Sequence, residues 1–162
     1  MAIKAGDTLP ADTKLMEMGD AGPKQVTVGE LTKGKTVVLF AVPGAFTPTC
    51  SMKHLPGFVD KAADIRGKGV DEIICLSVND AFVMGACGKE HGAGGKVRMV
   101  ADGNGDFTRA VGLEMDASGF GMGSRSKRYA MLVKDGKVTE LLVEPAGGLN
   151  VSSAESVLGK LG

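Results

Sequence analysis

Apolar residues cluster in two nearly continuous runs, Thr36–Val42 (TVVLFAV) and Glu72–Val78 (EIICLSV). Runs of this length that are rich in β-branched residues are typical of strands buried on both faces of a sheet. A shorter run, Val97–Ala101, predicts a third strand.

Hairpin and helix signals dominate the rest of the chain. Two apolar runs, Arg128–Lys134 and Lys137–Val143, flank Asp135-Gly136, which is a strong signal for a two-residue β-hairpin. The patterns of Asp80–Glu90 and Ser153–Leu161 predict helices, and the second of these has a serine in the capping position.

A turn and a longer helix follow the first strand. Pro43-Gly44-Ala45-Phe46 has turn composition, and Thr47 and Pro48 are favoured residues for the N-cap and the first helical position. The pattern predicts one helix from there to about Arg66. Pro56 lies inside it and has no N–H to donate, so a kink is expected at that point.

The predicted element order is β-α-β-α-β, then a β-hairpin, then a helix. Alternating strands and helices predict an α/β fold with a mixed central sheet and helices on both faces. This pattern suits a thioredoxin-like fold, to which residues 3–30 would add a small hairpin. No linker is evident, so residues 1–162 are expected to form a single domain.

Charge and hydropathy exclude several function classes. Lys and Arg number 19, as do Asp and Glu, so the net charge is zero, which argues against nucleic-acid or membrane partners held by a basic face. No apolar run approaches the length of a membrane span, and the N-terminus has no signal-peptide core. A soluble, cytoplasmic protein is expected, and an organellar location after removal of a transit peptide stays open.

Cysteine is the residue type with the clearest chemical potential. The chain has three, Cys50, Cys75 and Cys87, which is too few for a disulfide scaffold. It has no Cys-x-x-Cys pair and two histidines, so no structural metal site and no cofactor are expected. With Thr47 as N-cap, Cys50 takes the third helical position, where the helix dipole and unpaired N–H groups favour a nucleophilic thiolate. The alternative is a structural cysteine buried below a capped helix.

The string Pro43–Cys50 (PGAFTPTC) resembles the active-site motif of the peroxiredoxins, Pro-x-x-x-(Thr/Ser)-x-x-Cys. The longer match, Val42–Phe58, is similar to the subfamily of plant type II and mammalian atypical two-cysteine peroxiredoxins. Further matches are Leu76–Asp80, Ala101–Gly103 and Arg125–Tyr129. The resemblance therefore covers nearly the whole chain.

The resemblance implies a role for each motif residue. Cys50 would be the peroxidatic cysteine, which a hydroperoxide oxidises to sulfenic acid. Thr47 would hydrogen-bond the bound peroxide, and Pro43 would shield the sulfur from water. Arg128 would be the active-site arginine, and Gly44 would join Thr47, Cys50 and Arg128 in binding substrate.

Other residues have open interpretations. Arg125 is either a neighbour of the site or a solvated surface charge, and His54, four residues after Cys50, has either a catalytic or a packing role. Cys75 is either a resolving partner, as proposed for plant relatives, or a small buried hydrophobe. The mammalian relatives resolve with a cysteine near the C-terminus, a stretch that here reads Gly148–Ser153 without one.

The implied activity is reduction of hydrogen peroxide and alkyl hydroperoxides, with glutaredoxin and glutathione or thioredoxin as reductant. The resemblance also implies a homodimer. Two other functions compete: a thiol–disulfide oxidoreductase, which the missing Cys-x-x-Cys disfavours, and a redox sensor or chaperone-like protein that uses a reactive Cys50 without efficient turnover.

Replacing Cys50 with Ser is expected to abolish peroxide turnover, because a serine hydroxyl is not ionised at neutral pH. Cys87→Ser should retain near-normal turnover, because Cys87 is expected to pack in the core. Steady-state peroxide consumption measures both variants. Substantial activity in Cys50→Ser would exclude the proposed nucleophile.

Overall fold

A seven-stranded mixed sheet forms the centre of the protein in the computed structural model, which describes residues 2–48, 50–145 and 148–161, except for the side chains of Cys50 and Met52. The strands are β1 (Lys14–Gly19), β2 (Gly22–Thr27), β3 (Thr36–Val42), β4 (Glu72–Ser77), β5 (Arg98–Ala101), β6 (Glu114–Asp116), β7 (Ser124–Ser126), β8 (Tyr129–Lys134) and β9 (Lys137–Val143). The sheet order is β2-β1-β5-β4-β3-β8-β9, and β6 and β7 form a separate pair. Strands β3, β4 and β5 are parallel, and the other pairs are antiparallel.

Helices cover both faces of this sheet. They are α1 (Val28–Thr32), α2 (Leu55–Asp60), α3 (Ala62–Arg66), α4 (Ala81–Glu90), α5 (Asp106–Ala110) and α6 (Ala154–Leu161), with a π-helix at Cys50–His54 and a short 3₁₀ turn at Ser118–Phe120. Alternate residues of β3 enter two separate apolar clusters. Phe40 packs in a cluster with residues of α2, α3, α4 and α6, whereas Leu39 packs in one with residues of α1 and α5. Because side chains alternate along a strand, these clusters lie on opposite faces, which confirms the predicted mixed sheet with helices on both sides.

The prediction of one continuous helix to about Arg66 was wrong. The helix begins as expected, since Pro48 is helical and the Ser51 N–H donates to the Thr47 carbonyl at 2.9 Å. It continues as a π-helix, and α2 then begins with Pro56 in its first turn. Proline cannot donate the next i→i−4 hydrogen bond, and a π-helix shifts the pairing to i→i−5 just before it. Pro56 therefore starts a new helix rather than kinking an existing one.

Other elements match the sequence pattern more closely. The β1–β2 hairpin confirms the one expected within residues 3–30, and Ser153 caps α6 by accepting from the Ser156 N–H at 3.2 Å. The short elements α1, α5, β6 and β7 were not predicted, because segments of three to five residues carry too little periodicity. Among the described residues, no helix has the length and apolarity needed to cross a membrane.

Candidate active site

The turn that follows β3 is held in place by the turn that follows β4. The Asn79 Oδ1 atom accepts hydrogen bonds from the Ala45 N–H at 2.9 Å and from the Ser77 hydroxyl at 2.6 Å. Within the same turn, the Thr47 hydroxyl donates to the Gly44 carbonyl at 2.7 Å. Because this bond uses the hydroxyl proton, the lone pairs of the Thr47 oxygen are what it offers to a peroxide O–H.

A side chain at position 44 would be crowded by its neighbours. A Cβ atom there would lie 2.9 Å from the Met122 methyl carbon and 3.0 Å from a methyl carbon of Thr47. Phe46, two residues on, adopts a left-handed backbone with φ of 64° and is 48% exposed. A non-glycine residue in this conformation carries backbone strain, which is often stored at functional sites. Pro43 lies in the same turn and is half-buried.

Cys50 is the first residue of the π-helix that follows this turn. Its side chain and the whole of Thr49 lie outside the described residues, so the predicted nucleophile is located by its backbone. His54, four residues after Cys50, is the last residue of the π-helix.

Arg128 reaches this helix through His54. The Arg128 Nη1 atom lies 2.8 Å from the His54 Nδ1 atom, and the His54 Nε2 atom lies 2.9 Å from the Ser152 carbonyl oxygen. A carbonyl can only accept and a guanidinium can only donate. His54 is therefore the neutral tautomer that carries its proton on Nε2, and its Nδ1 lone pair accepts from Arg128.

Burial keeps His54 in this neutral state. Its side chain packs against Phe40 and Phe58, with ring centroids 4.9 and 5.6 Å away. Burial in this apolar site is the main cause that lowers the pKa of His54 to about 3, and the nearby Arg128 charge lowers it further. The imidazole remains a hydrogen-bond acceptor for Arg128 throughout the neutral pH range. His54 thus packs in the core, as one of its two interpretations expected, and contacts the predicted catalytic arginine. A catalytic role for His54 stays a prediction.

Sheet register explains why Arg128 arrives at this place. Strand β8 is antiparallel to β3, and Tyr129 pairs with Ala41. Arg128, one residue before β8, therefore lies beside the end of β3 from which the turn departs. Arg128 is a buried residue, since it is only 7% exposed.

Arg125 binds the backbone, so the suggestion of a solvated surface charge was wrong. Its Nε donates to the Met122 carbonyl at 2.9 Å, and its Nη1 donates to the Val78 carbonyl at 3.0 Å. Nη1 also lies 3.5 Å from the position that a Cβ atom would take at Gly44. Arg125 therefore ties the segment around Met122 to the turn after β4. Asn79 and Arg125 each lie in one of the shorter sequence matches. Nothing in those strings indicated that the two residues hold the turn after β3 in place.

The chain is similar to a known family model, to curated proteins and to solved structures. The Redoxin family model matches residues 4–158. Peroxiredoxin-2B of Arabidopsis thaliana is 50% identical over 156 residues, which cover 96% of each chain. Chloroplastic Peroxiredoxin-2E of the same plant is 51% identical over 160 residues, or 97% of this chain and 68% of the relative. The crystal structure of reduced Prx3 from Vibrio vulnificus in complex with H₂O₂ superposes with a TM-score of 0.94, at 51% identity and 99% coverage of both chains.

The chain belongs to the peroxiredoxin family. Peroxiredoxins are thiol-dependent peroxidases, and the resemblance to the type II subfamily and the thioredoxin-like fold are both confirmed. The individual residue roles inferred from the motif stay predictions.

Cys75 of this peroxiredoxin lies in the middle of the sheet. It is a fully buried free thiol on β4, in register with Phe40 on β3 and Met99 on β5. Burial raises the pKa of the Cys75 thiol, nearby Cys87 raises it further, and Arg128 opposes the rise. Cys75 is therefore a poor nucleophile in the folded protein. Its resolving role stays untested, while its position matches the expectation of a small buried hydrophobe.

Cys87 packs in the same apolar cluster as Cys75. It lies on α4 and is fully buried, with its sulfur 3.7 Å from the His91 Nδ1 atom. The expectation that Cys87 is a core residue is confirmed.

Proposed function

We propose that this peroxiredoxin reduces hydrogen peroxide and alkyl hydroperoxides through a sulfenic acid on Cys50. The Cys50 thiolate attacks one peroxide oxygen, a sulfur–oxygen bond forms, and the O–O bond breaks. The leaving oxygen takes a proton and departs as water or an alcohol. The H₂O₂ complex of the related Vibrio protein supports this substrate class.

The observation that carries the proposal is the buried guanidinium of Arg128. It is held by a neutral imidazole on the same short helix that begins with Cys50. This hydrogen bond orients the Arg128 guanidinium, and the imidazole that accepts it adds no negative charge of its own. A positioned cation beside a thiol suits a reaction in which negative charge moves from sulfur to oxygen.

A lower pKa of Cys50 would by itself accelerate the reaction very little. Lowering a cysteine pKa from about 8.5 to about 6 raises the thiolate fraction at pH 7 from about 3% to about 90%. Nucleophilicity falls with pKa along a Brønsted slope of about 0.45, which takes back a factor of roughly 13. The net gain is only about two-fold, so most of the acceleration must come from stabilising the leaving oxygen. Arg128 and the Cys50 N–H are the proposed donors.

Thr47 and the turn around it would bind the peroxide. The Thr47 hydroxyl already donates to the Gly44 carbonyl, which orients its oxygen to accept from the peroxide O–H. Gly44 allows close packing at this point, and Pro43 would limit access of water to the sulfur. In this proposal the predicted site residues act together on one peroxide molecule.

Regeneration is proposed to use an external thiol. A thiol would attack the Cys50 sulfenic acid, releasing water and forming a mixed disulfide, and a second thiol would then release Cys50. Glutathione with glutaredoxin is the proposed donor, with thioredoxin as an alternative. Burial of Cys75 and the lack of a cysteine in Gly148–Ser153 support this route.

The predicted homodimer and the predicted compartment also belong to this proposal. Phe82 and Phe120 are 66% and 85% exposed, and Phe46 is 48% exposed, which is unusual for phenylalanine and supports an interface with a second copy. Phe46 is two residues after Gly44, and Phe120 is two residues before Met122. Gly44 and Met122 pack together, so the two phenylalanines belong to neighbouring segments. The cytoplasmic location stays a prediction, because two relatives are named as chloroplastic.

Replacing Arg128 with Lys is expected to lower the second-order rate with peroxide at least about 30-fold, or about 2 kcal/mol. Lysine keeps a charge but loses the planar fork of N–H donors. Reaction with iodoacetamide, which needs only the thiolate, should change far less. Both rates are measured across a pH series so that the thiolate fraction can be divided out. A parallel fall in both rates would mean that Arg128 acts mainly by setting the Cys50 pKa.

Cys75→Ser is expected to sustain peroxide consumption with glutaredoxin and glutathione, because the external thiol would reach Cys50 without Cys75. The assay is run beside the wild-type protein, and thioredoxin replaces glutaredoxin in a parallel series. A loss greater than about ten-fold in the variant would make Cys75 the resolving residue. A wild-type protein that consumes one equivalent of peroxide and then stops with both reductants would instead favour a redox sensor.

Phe120→Glu is expected to shift the protein from dimer towards monomer, because it places a charge in an exposed apolar position of the proposed interface. Sedimentation velocity over a range of protein concentrations measures the equilibrium. Lys160→Glu, on the exposed side of α6, is the charge-changing control and should leave the dimer intact. A wild-type protein that sediments as a monomer at all concentrations would contradict the proposal.

A further inference from the structure

Glu144 is a buried carboxylate directly after β9. The residue is 6% exposed, and its Oε2 atom accepts four hydrogen bonds, all from one short segment. The donors are the Asn150 N–H at 2.9 Å, the Val151 N–H at 2.8 Å, the Ser152 N–H at 2.8 Å and the Ser152 hydroxyl at 2.8 Å. One carboxylate oxygen thus fixes three consecutive residues, which will be called the 150–152 segment.

The Glu144 carboxylate that accepts these hydrogen bonds is charged. Burial by itself would raise the pKa of Glu144, but the hydrogen bonds from Ser152, Val151 and Asn150 together lower it. Glu144 therefore remains ionised at neutral pH. Hydrogen bonds to a charged acceptor are stronger than those between neutral groups, so the segment is held firmly.

The 150–152 segment in turn determines the state of His54. The Ser152 carbonyl accepts from His54 Nε2, and that contact obliges the proton of the neutral imidazole to reside on Nε2. The opposite tautomer would present an N–H to the Arg128 guanidinium, and two donors would then face each other. The Ser152 carbonyl therefore supports the tautomer in which His54 can accept from Arg128.

We propose that Glu144 is a positioning residue for peroxide reduction, acting through the 150–152 segment and His54 on Arg128. The inference rests on the proposed catalytic role of Arg128. Glu144 itself contacts neither substrate nor sulfur in this account. Its effect is to keep the Ser152 carbonyl where it selects the imidazole tautomer that accepts from the guanidinium.

Two substitutions of Glu144 separate its role as a hydrogen-bond acceptor from its charge. Glu144→Leu removes the acceptor, and the 150–152 segment loses all four hydrogen bonds. Glu144→Gln keeps one acceptor oxygen but is neutral, and its NH₂ group would occupy the place of Oε1, which is buried without a partner among the described residues. Glu140→Gln, a half-buried carboxylate on β9, is the matched control and should behave like the wild type.

Glu144→Leu is expected to lower the second-order rate with peroxide at least about ten-fold. Glu144→Gln should lose no more than about three-fold, because it can still accept from the segment. Alkylation by iodoacetamide should stay close to wild type in both. The ¹⁵N NMR shifts of the His54 ring should show protonated Nε2 in the wild type and in Glu144→Gln, and a population with protonated Nδ1 in Glu144→Leu. Circular dichroism and thermal unfolding show whether each variant is folded.

A double-mutant cycle separates this inference from the role of Arg128. If Glu144 acts through Arg128, adding Glu144→Leu to Arg128→Lys should cause little further loss in the peroxide rate. Full additivity of the two losses would overturn the inference. So would equal losses in the Leu and Gln variants with an unchanged His54 tautomer, since that pattern indicates a charge effect. Should Glu144→Leu not fold, the Gln variant and Ser152→Ala, which removes one of the four bonds, carry the same NMR and rate comparison. If Arg128→Lys alone has no effect on the peroxide rate, the proposed role of Arg128 fails instead.

Discussion

The hydrogen bond between Arg128 and His54 is the interaction on which the rest of the site depends. Burying a guanidinium is costly unless it is held by acceptors, and here one acceptor is an imidazole whose own burial keeps it neutral. A carboxylate in the same place would bind the guanidinium more strongly but would also offset its charge. The neutral acceptor fixes the direction of a guanidinium N–H group without adding a negative charge of its own.

Sheet topology brings the participating segments to one edge. The parallel strands β3 and β4 end side by side, which allows Asn79 after β4 to hold the turn after β3. Strand β8 runs antiparallel to β3, so Arg128 enters at the same edge from the opposite direction. Active sites of open α/β sheets commonly form outside the carboxyl ends of parallel strands, where such segments converge. The site is therefore a consequence of strand order as much as of the motif.

Strands and the turn that carries the predicted nucleophile were predictable from the sequence because both depend on local pattern. Strand β3 has the predicted bounds, and the turn and helix start around Thr47 follow from their residue types. The π-helix was not predicted, because Pro56 is compatible with a kink as well as with a new helix. The contact between His54 and Arg128 joins residues 74 apart. Single-sequence patterns contain no register between distant segments, so such partners could not be named in advance.

The same network bears on how the oxidised enzyme could be reduced. Cys75 lies buried on β4 in the apolar cluster that also contains residues of α2 and α4, and we propose that a disulfide with Cys50 would form only if the helix bearing Cys50 moved. His54 belongs to that π-helix, and its displacement would break the hydrogen bond that holds Arg128. The reduced site would then have to be rebuilt in every cycle. An external thiol that attacks the Cys50 sulfenic acid needs access to one sulfur atom and can leave the Arg128–His54 pair in place. The proposed intermolecular route would therefore preserve the Arg128–His54 hydrogen bond from one cycle to the next.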